Sequence, residues 1–319
     1  MEELKEETKY FEDKLSEVFV EKGFEEALTY VKGGKRLRPL ICILAAEAVG
    51  GDREKALPAA IAIELVHNAS LIHDDILDEN MLRRGAPTAF AKHGKKAIII
   101  GDFLFALSCE MLARCGSRVM TLVSKAISDI AIGQYLEFSL RHAESVSEAA
   151  YFKIAELKTA SSFVASAEAG AILGGGSEDD IRRLREFGRT LGIAYQIQDD
   201  IFDILGDPAD ETPLGLDIKN GEMTIIVVHA LEHANAREKE FILETMSKGD
   251  VDADTLLKMR ELFLHLGSIG YAFGLFEEFV REAKAHLSTL SESAPRRKLM
   301  LLPDIIAERL NNVAQATKG

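Results

Sequence analysis

Two short segments place closely spaced carboxylates within long apolar stretches of the sequence. Each reads Asp-Asp-x-x-Asp, one running from Asp74 to Asp78 and the other from Asp199 to Asp203. If the segments are helical, the first and fifth residues of each lie about 40° apart on one face, so the outer carboxylates stack. Crowded carboxylates repel each other and resist desolvation. A divalent cation removes this conflict, and magnesium suits best because it combines one or two carboxylates with substrate phosphate oxygens.

A single motif of this kind is also compatible with an ordinary acidic surface segment, because acidic helix faces and helix N-caps are common on protein surfaces. Two copies, both flanked by apolar residues, favour a metal–diphosphate site over that explanation. A calcium-binding EF-hand is excluded because neither segment has the required loop spacing or its glycine.

Basic residues accompany the carboxylates in two places. The segment 33–39 reads GGKRLRP, and Arg83-Arg84 follows the first aspartate motif. Arginine forks bind phosphate oxygens in bidentate fashion, lysine adds a point charge, and a glycine pair before a helix leaves N–H groups for an anion. Each cluster alone is compatible with ordinary surface charge. Together with the carboxylates they predict a diphosphate-binding site.

Helical spacing of apolar residues dominates the chain, and strand-like alternation is scarce. We therefore predict one all-α domain spanning residues 1–319. The glycine triplet at 174–176 follows a helical stretch and is expected to end a helix rather than bind phosphate. The polar stretch 206–221 is a candidate active-site flap. The predicted helices lie near 3–31, 36–49, 54–80, 95–115, 118–141, 147–173, 178–205, 223–247, 252–288 and 296–315.

Composition restricts the possible functions of this 319-residue chain. It has 47% hydrophobic residues, seven prolines and no tryptophan, a profile that favours helices and a sizeable core. Its formal net charge of −14 argues against nucleic-acid binding. The three cysteines follow no metal-ligand spacing and are expected to be buried thiols. The N-terminus does not resemble a signal peptide, and the longest apolar run, 97–107, is too short to cross a membrane, so a soluble cytoplasmic protein is expected.

Several of these segments together resemble one known family, the trans-isoprenyl (polyprenyl) diphosphate synthases. The resemblance covers roughly residues 30–225 and includes GGKRLRP, ELVHNASLIHDDILDENMLRRGAPT, GDFLFA, GQYLEF, ELKTASSF and YQIQDDIFDILGD. It implies an isoprenoid-synthase helical bundle with a central active-site cavity. It also implies head-to-tail condensation of isopentenyl diphosphate with an allylic diphosphate, by an enzyme that is typically a homodimer.

The resemblance assigns roles to individual residues, with three Mg²⁺ ions expected at the active site. Arg36 receives no role and is expected to be solvated. The implied metal ligands are Asp74, Asp78 and Asp199, supported by Asp75, Asp200 and Asp203. The implied contacts of the allylic diphosphate are Arg83, Lys158, Thr159 and Gln196. The implied contacts of isopentenyl diphosphate are Lys35, Arg38, His67 and Arg84.

The sequence departs from the family pattern after the second aspartate motif. Two lysines are usual there, but Thr212 and Glu222 occupy their places. Lys219 is near in sequence, although at the wrong spacing. The loss of two positive charges predicts a weakened grip on the leaving diphosphate, or alternatively a weakly active or non-catalytic partner subunit of a heteromeric synthase.

Product length is implied by the residues one helical turn before Asp74. Bulky side chains there stop chain growth early in the resembled enzymes, whereas this chain has the small Ala69 and Ser70. The floor of the cavity would then move to Val66 or Ile63, or to Phe103 or Leu107 on a neighbouring helix. A product longer than C15, of the geranylgeranyl or longer type (C20 to C30), is therefore expected.

Two rival enzyme classes fit the sequence less well. A terpene cyclase would share the helical fold and one aspartate-rich motif, but it would lack GGKRLRP and the Arg83-Arg84 pair. A zinc peptidase is suggested only by His229-Ala230-Leu231-Glu232-His233, a short match that arises readily by chance. His73, beside the first motif, is expected to pack between helices rather than to bind metal.

Overall fold

The computed structural model describes residues 2–83, 85–206, 214–249 and 251–316 of the chain. Short 3₁₀ segments lie at Glu2–Leu4 and Gly94–Ala97, and a π-helical turn lies at Glu156–Ala160. In chain order, the α-helices of the described residues are Lys5–Lys22 (α1), Glu25–Val31 (α2), Leu37–Ala48 (α3), Arg53–Leu77 (α4), Ala89–His93 (α5), Ile98–Leu112 (α6), Gly116–Leu140 (α7), Glu148–Ala155 (α8), Ser161–Leu173 (α9), Glu178–Leu205 (α10), Leu216–Asn220 (α11), Ile225–His233 (α12), Ala236–Lys248 (α13), Ala253–His265 (α14), Ser268–Ser288 (α15) and Ala294–Ala316 (α16).

The predicted all-α class is confirmed, but three predicted helices are each broken in two, and a fourth, 147–173, is interrupted by the π-helical turn. The predicted helix 3–31 breaks at Gly23, whose φ of +66° is left-handed and ends α1. The predicted helix 252–288 breaks at Gly267 in the same way, with φ +72°. The predicted helix 223–247 breaks where Asn235 forms a capping box with Glu238 and starts α13. The predicted end of α9 at Leu173 is confirmed, since Gly175 adopts φ +77°.

A small β-ribbon, which the sequence did not predict, follows the first aspartate motif. Strand β1 (Leu82–Arg83) pairs antiparallel with β2 (Ala86–Pro87). Gly85, at φ +72°, lies in the turn between the strands. The ribbon fixes the backbone of Arg83 close behind the end of α4.

The chain divides into two compact units that alternate along the sequence. The first unit comprises Met1–Ser128, Ser162–Arg189 and Ala283–Ile305. Its core is built from α1, α3, α4 and α6, with fully buried side chains that include Phe11, Phe19, Ile43, Leu65 and Leu104. Burial of each such side chain contributes roughly 1.5–3 kcal/mol.

Helix α9 approaches α3 closely within this first unit. A Cβ added at Gly170 would lie 2.1 Å from the carbonyl oxygen of Cys42, so only glycine fits there. The contact places Ser162 and Phe163, at the start of α9, beside α3.

The second unit comprises Asp129–Ser161, Thr190–Glu282 and Ile306–Gly319. Its core contains the apolar start of α12, where Ile225, Ile226 and Val227 are buried. Gln198, in α10, donates from Nε2 to the carbonyl oxygen of Ile306 at 2.5 Å and joins α10 to α16.

Of the described residues, only α4 forms a helix long and apolar enough to cross a membrane. Within its most apolar 18-residue window, 67% is buried inside the protein. A buried helix of a protein core has this character, and α4 forms part of the core of the first unit.

Candidate active site

The first aspartate motif lies at the C-terminal end of α4, in the first unit. Helix α4 ends at Leu77, three residues before its predicted end, and Asp78 is its C-cap. The Asp78 N–H still donates to the carbonyl oxygen of Asp74 at 2.9 Å, so the i,i+4 relation between the two residues is kept. Carboxylates at the negative end of a helix dipole favour a bound cation.

Asp75, the middle carboxylate of this motif, is only 4% exposed and lies beside Arg83 of the β-ribbon. Arg83 donates from Nη2 to Oδ1 of Asp75 at 2.8 Å and from Nε to both carboxylate oxygens at 3.1 Å. The supporting role expected of Asp75 is compatible with this contact, because the carboxylate fixes the arginine next to Asp74 and Asp78. Arg84 lies outside the described residues.

The two arginines of the GGKRLRP segment, Arg36 and Arg38, contact different parts of the protein. Arg38 donates from Nε to Ser162 Oγ at 2.8 Å, and its Nη1 lies 3.4 Å from His67 Nε2. Its guanidinium also lies over the Phe163 ring, 4.5 Å from the centroid. Two predicted contacts of isopentenyl diphosphate, Arg38 and His67, are therefore neighbours, and half-buried Lys35 lies in the same segment.

The expectation that Arg36 is solvated was wrong. Its side chain is 0% exposed and is paired with Glu12 and Glu64 at 2.6 and 2.5 Å. Burial opposes the charged guanidinium, but these two carboxylates outweigh it and raise the pKa of Arg36. Sequence alone could not distinguish Arg36 from Arg38, since both glutamates are distant along the chain.

The second aspartate motif lies in the last two turns of α10, in the second unit. Asp199 is exposed, whereas Asp200 is 1% exposed. The carboxylate of Asp200 accepts hydrogen bonds from Tyr151 Oη (2.8 Å), Gln196 Nε2 (2.9 Å) and the Ile225 N–H (3.1 Å). Burial raises the pKa of Asp200 to about 7, and the three hydrogen bonds act in the opposite direction.

The two carboxylate oxygens of Asp203 differ in their hydrogen bonding. Its Oδ1 accepts from the Asp217 N–H at 3.2 Å, while Oδ2 is buried and accepts no hydrogen bond within the described residues. Burial raises the pKa of Asp203 to about 7, although backbone donors from Asp217 and Leu216 lower it. Burial also raises the pKa of Asp217, with further contributions from Asp203 and Glu222. The charge crowding is thus of the kind that a cation relieves.

Lys158 and Thr159 lie on the π-helical turn Glu156–Ala160, also in the second unit. Such turns are frequently found at functional sites. Lys158 Nζ is paired with Glu137 of α7. Thr159 Oγ1 donates to Gln196 Oε1 at 2.5 Å, and the Gln196 amide in turn donates to Asp200. In this arrangement Thr159 and Gln196 connect to Asp200 of the second motif, whereas Lys158 is paired with Glu137.

Three side chains of this arrangement were not predicted: Glu137, Tyr151 and Asp217. Glu137 lies in the GQYLEF segment, where its spacing gave no sign of a contact with Lys158. Asp217 lies in the polar stretch 206–221, which was predicted only as a flap. Tyr151 belongs to no motif, so nothing in the sequence could have indicated its bond to Asp200.

The departures from the family pattern have a partial structural explanation. Glu222 is paired with Arg141 at 2.7 Å, and both side chains are 13% exposed, so its carboxylate has a counter-ion close by. Lys219 lies close enough to Asp203 to lower the pKa of that carboxyl. Thr212 lies outside the described residues.

The donor set fits magnesium but not a site made of protein ligands alone. Within the described ranges, no three His, Cys, Asp or Glu side chains are grouped to hold a metal ion. Magnesium uses one or two carboxylates and completes its octahedron with water and substrate phosphates, so it does not require such a group. Each unit offers oxygen ligands of its own: in the first unit the carboxylates at the end of α4, and in the second unit those near the end of α10.

The sequence analysis expected His73 to pack between helices and gave little weight to zinc binding by His229 and His233. His73 packs between α4 and α6, where a Cβ on Gly101 would lie 2.2 Å from its Nε2, and its ring is 5.7 Å from that of Phe105. His229 and His233 stack on each other at 4.0 Å, and Nδ1 of His229 lies 3.0 Å from Ser268 Oγ. Rings stacked in this way do not converge on a zinc ion, so the zinc-peptidase alternative has no structural support.

Two aspartate motifs at helix C-termini in an all-α chain define the class of isoprenoid synthases, and comparison with known proteins identifies the family. The family model for polyprenyl synthetase matches residues 21–263. A short chain isoprenyl diphosphate synthase of Methanothermobacter thermautotrophicus is 38% identical over 284 residues, 87% of each chain.

Comparison with solved structures indicates the same family. A geranylgeranyl pyrophosphate synthetase from Pyrococcus horikoshii is 35% identical with a TM-score of 0.85, covering 96% of this chain and 97% of its own. A Caulobacter crescentus polyprenyl synthase, solved with calcium and isoprenyl diphosphate, is 31% identical with a TM-score of 0.82, covering 89% and 87%.

The chain belongs to the polyprenyl synthetase family. It is a prenyltransferase that elongates trans-prenyl diphosphates, and magnesium dependence is general in this family. The comparisons give no support to the alternative of a non-catalytic partner subunit.

Proposed function

We propose that this enzyme condenses isopentenyl diphosphate with an allylic diphosphate to give a trans-prenyl diphosphate longer than C15, in the C20 to C30 range. The observation that carries the product length is the small side chains one turn before Asp74. Ala69 is fully buried, and the Ser70 hydroxyl donates to the carbonyl oxygen of His67 at 2.8 Å. Neither side chain adds bulk that would stop a growing prenyl chain at this level.

Larger side chains are found deeper in the first unit. Phe103 of α6 packs edge-on against Phe24 and Phe19, with ring centroids 4.9 and 6.3 Å apart. Val66 is one turn before Ser70 on α4 and is 3% exposed. Each helical turn rises about 5.4 Å, comparable with one isoprene unit. A floor at Val66 or Phe103 supports a product of C20 or longer, in keeping with the geranylgeranyl product that the Pyrococcus horikoshii relative is named for.

The proposed residue roles are those that the resemblance to the family implies. Asp74, Asp78 and Asp199 would be the protein ligands of three magnesium ions that also bind the allylic diphosphate, and Asp75, Asp200 and Asp203 would support these ligands. Bound magnesium would supply Lewis-acid stabilisation of the departing diphosphate. The proposed contacts of the allylic diphosphate are Arg83, Lys158, Thr159 and Gln196. Those of isopentenyl diphosphate are Lys35, Arg38, His67 and Arg84.

In the proposed reaction, the bond from the allylic carbon to its diphosphate oxygen breaks, and that carbon bonds to the terminal alkene carbon of isopentenyl diphosphate. Arg83 and Lys158 hold the diphosphate through charge-assisted hydrogen bonds. The apolar side chains of α4 and α6 exclude water from the cation. The proton lost from the new chain goes to the released diphosphate.

We also propose that residues 1–319 act as one synthase domain in a cytoplasmic homodimer. Helix α7 supports the dimer, because Ile132, Tyr135 and Phe138 recur every third residue and are 50%, 72% and 55% exposed. Apolar side chains exposed in such a row are typical of a protein interface. Light scattering coupled to gel filtration tests the dimer, which Tyr135→Lys should dissociate.

Product analysis tests the function. Purified protein is incubated with magnesium, isopentenyl diphosphate and C5, C10, C15 or C20 primers, and the products are separated by chain length. The expected products are C20 to C30, and Ala69→Phe should shorten them. Ala113→Phe, at an exposed position after α6, is the matched control and should leave the product unchanged. Unchanged length in Ala69→Phe, or no turnover with any primer, would contradict the proposal.

A further inference from the structure

Arg36 is the most completely buried charge of the GGKRLRP segment. Its backbone has φ +52° at the N-cap of α3, a left-handed conformation that residues other than glycine rarely adopt. Its guanidinium donates to Glu12 of α1 and Glu64 of α4, and from Nη2 to the carbonyl oxygen of Val31 at 2.7 Å. The segment is thus tied at one residue to α1, to α4 and to the end of α2.

The residues on either side of Arg36 need such an anchor. Gly33 and Gly34, at φ +83° and +94°, give the chain before it a backbone that other residues would not hold. Lys35 follows directly, and Arg38 lies on the first turn of α3. Without a fixed point between the glycines and the helix, the positions of Lys35 and Arg38 would vary.

Glu64 connects this anchor to the helix that carries the first aspartate motif. Its Oε1 accepts from Arg36 at 2.5 Å and from Asn68 Nδ2 at 3.1 Å, and the same amide donates to the Glu64 carbonyl oxygen at 2.8 Å. Asn68 is adjacent to His67, whose Nε2 faces Arg38. The hydrogen bonds therefore reach from Arg36 along α4 to Asn68, the residue next to the histidine that Arg38 contacts.

We propose that Arg36 is a positioning residue for isopentenyl diphosphate, holding Lys35 and Arg38 at a fixed place relative to His67. The inference rests on the proposed assignment of these three residues to that substrate. Three donors of one planar guanidinium meet three acceptors on different helices, and a lysine ammonium cannot reproduce this fork. Arg36 itself makes no contact with substrate in this role.

Steady-state kinetics with each substrate varied separately tests the inference. Arg36→Lys keeps the charge but loses the fork, and Arg36→Gln/Glu64→Gln removes both charges while keeping hydrogen-bonding groups. In both variants the KM for isopentenyl diphosphate should rise about ten-fold or more, because small displacements of binding groups are costly. The KM for the allylic substrate should change less than about two-fold, since its proposed contacts are elsewhere.

Two further variants separate the possible outcomes. Arg53→Met breaks an ion pair with Glu47 at the other end of α4 and should leave both KM values unchanged. Arg38→Ala tests the underlying site: if it leaves the KM for isopentenyl diphosphate unchanged, the substrate assignment is wrong and the inference falls with it. If Arg38→Ala raises that KM but the Arg36 variants only lower the Tm, or raise both KM values equally, Arg36 is merely structural and the inference is overturned.

Discussion

The phenolic oxygen of Tyr151 lies 2.8 Å from Oδ2 of Asp200, and both side chains are buried. Asp200 also accepts from Gln196, which accepts in turn from Thr159. A tyrosine outside any motif therefore helps to fix the buried carboxylate of the second motif and, through it, the proposed allylic-side residues.

We expect Tyr151→Phe to lower both stability and activity. Loss of a hydrogen bond to a buried carboxylate should cost about 1–3 kcal/mol of unfolding free energy, measured by urea denaturation. Because Asp200, which accepts from Gln196, is then held by one hydrogen bond fewer, Gln196 is positioned less firmly and kcat/KM for the allylic substrate should fall about ten-fold.

Tyr271→Phe is the matched control for this prediction, since Tyr271 donates to Glu148 at 2.6 Å in the same unit. It should lower stability without changing kcat/KM. Equal kinetic losses in the two variants would show that the Tyr151 effect is not specific to the site.

A second prediction concerns Glu222, which occupies a place where the family usually has lysine. Because Glu222 is paired with Arg141, Glu222→Lys puts two cations together and should lower the Tm without raising activity. Arg141→Glu/Glu222→Lys reverses both charges and should recover most of the lost Tm. A double-mutant cycle by thermal unfolding measures this coupling, and an additive result would contradict it.

A third prediction concerns the thiols. The expectation that all three thiols are buried was wrong for Cys109, which is exposed, whereas Cys42 and Cys115 are buried. Burial raises the pKa of Cys115 to about 11 and raises that of Cys42 well above its usual range. Since the thiolate is the reactive form, iodoacetamide at about pH 8 should label Cys109 alone in the folded protein and all three cysteines after denaturation. Mass spectrometry gives the count, and rapid labelling of Cys115 in folded protein would contradict the prediction.

A fourth prediction concerns pH. Burial, and then the adjacent His233, lower the pKa of His229, whereas the nearby Glu232 and Glu148 raise it. The folded state therefore binds a proton on His229 less readily than the unfolded state, so this contribution to stability is present at neutral pH and is lost as the pH falls below about 6.5. Tyr271 and Ser268, the other groups against the ring, are neutral in this range.

His229→Asn removes this contribution. The unfolding free energy of the variant should therefore depend less on pH between about 7.5 and 5.5 than that of the unchanged protein. Parallel pH profiles from urea denaturation would show that His229 does not titrate in the predicted direction.

The sequence was sufficient to predict the helical class and to identify both aspartate motifs, because apolar periodicity and charge crowding are local signals. It also predicted the neighbours Arg38 and His67, through resemblance to the family. It failed where partners are distant along the chain, as for Arg36 with Glu12 and Glu64, or for Lys158 with Glu137. It also missed helix breaks such as the one at Gly23, because the sequence does not show whether a glycine within an apolar periodic stretch adopts a positive φ.

The π-helical turn at Glu156–Ala160 limits how the length of this part of the chain can change. A π turn contains one residue more than an α-helical turn, and it rotates the succeeding residues by about 100° relative to an uninterrupted α-helix. Deleting one residue there would restore a regular helix and turn Lys158 and Thr159 away from their partners, although the composition would hardly change. Related chains should therefore vary by substitution between Tyr151 and Phe163, and gain or lose residues elsewhere.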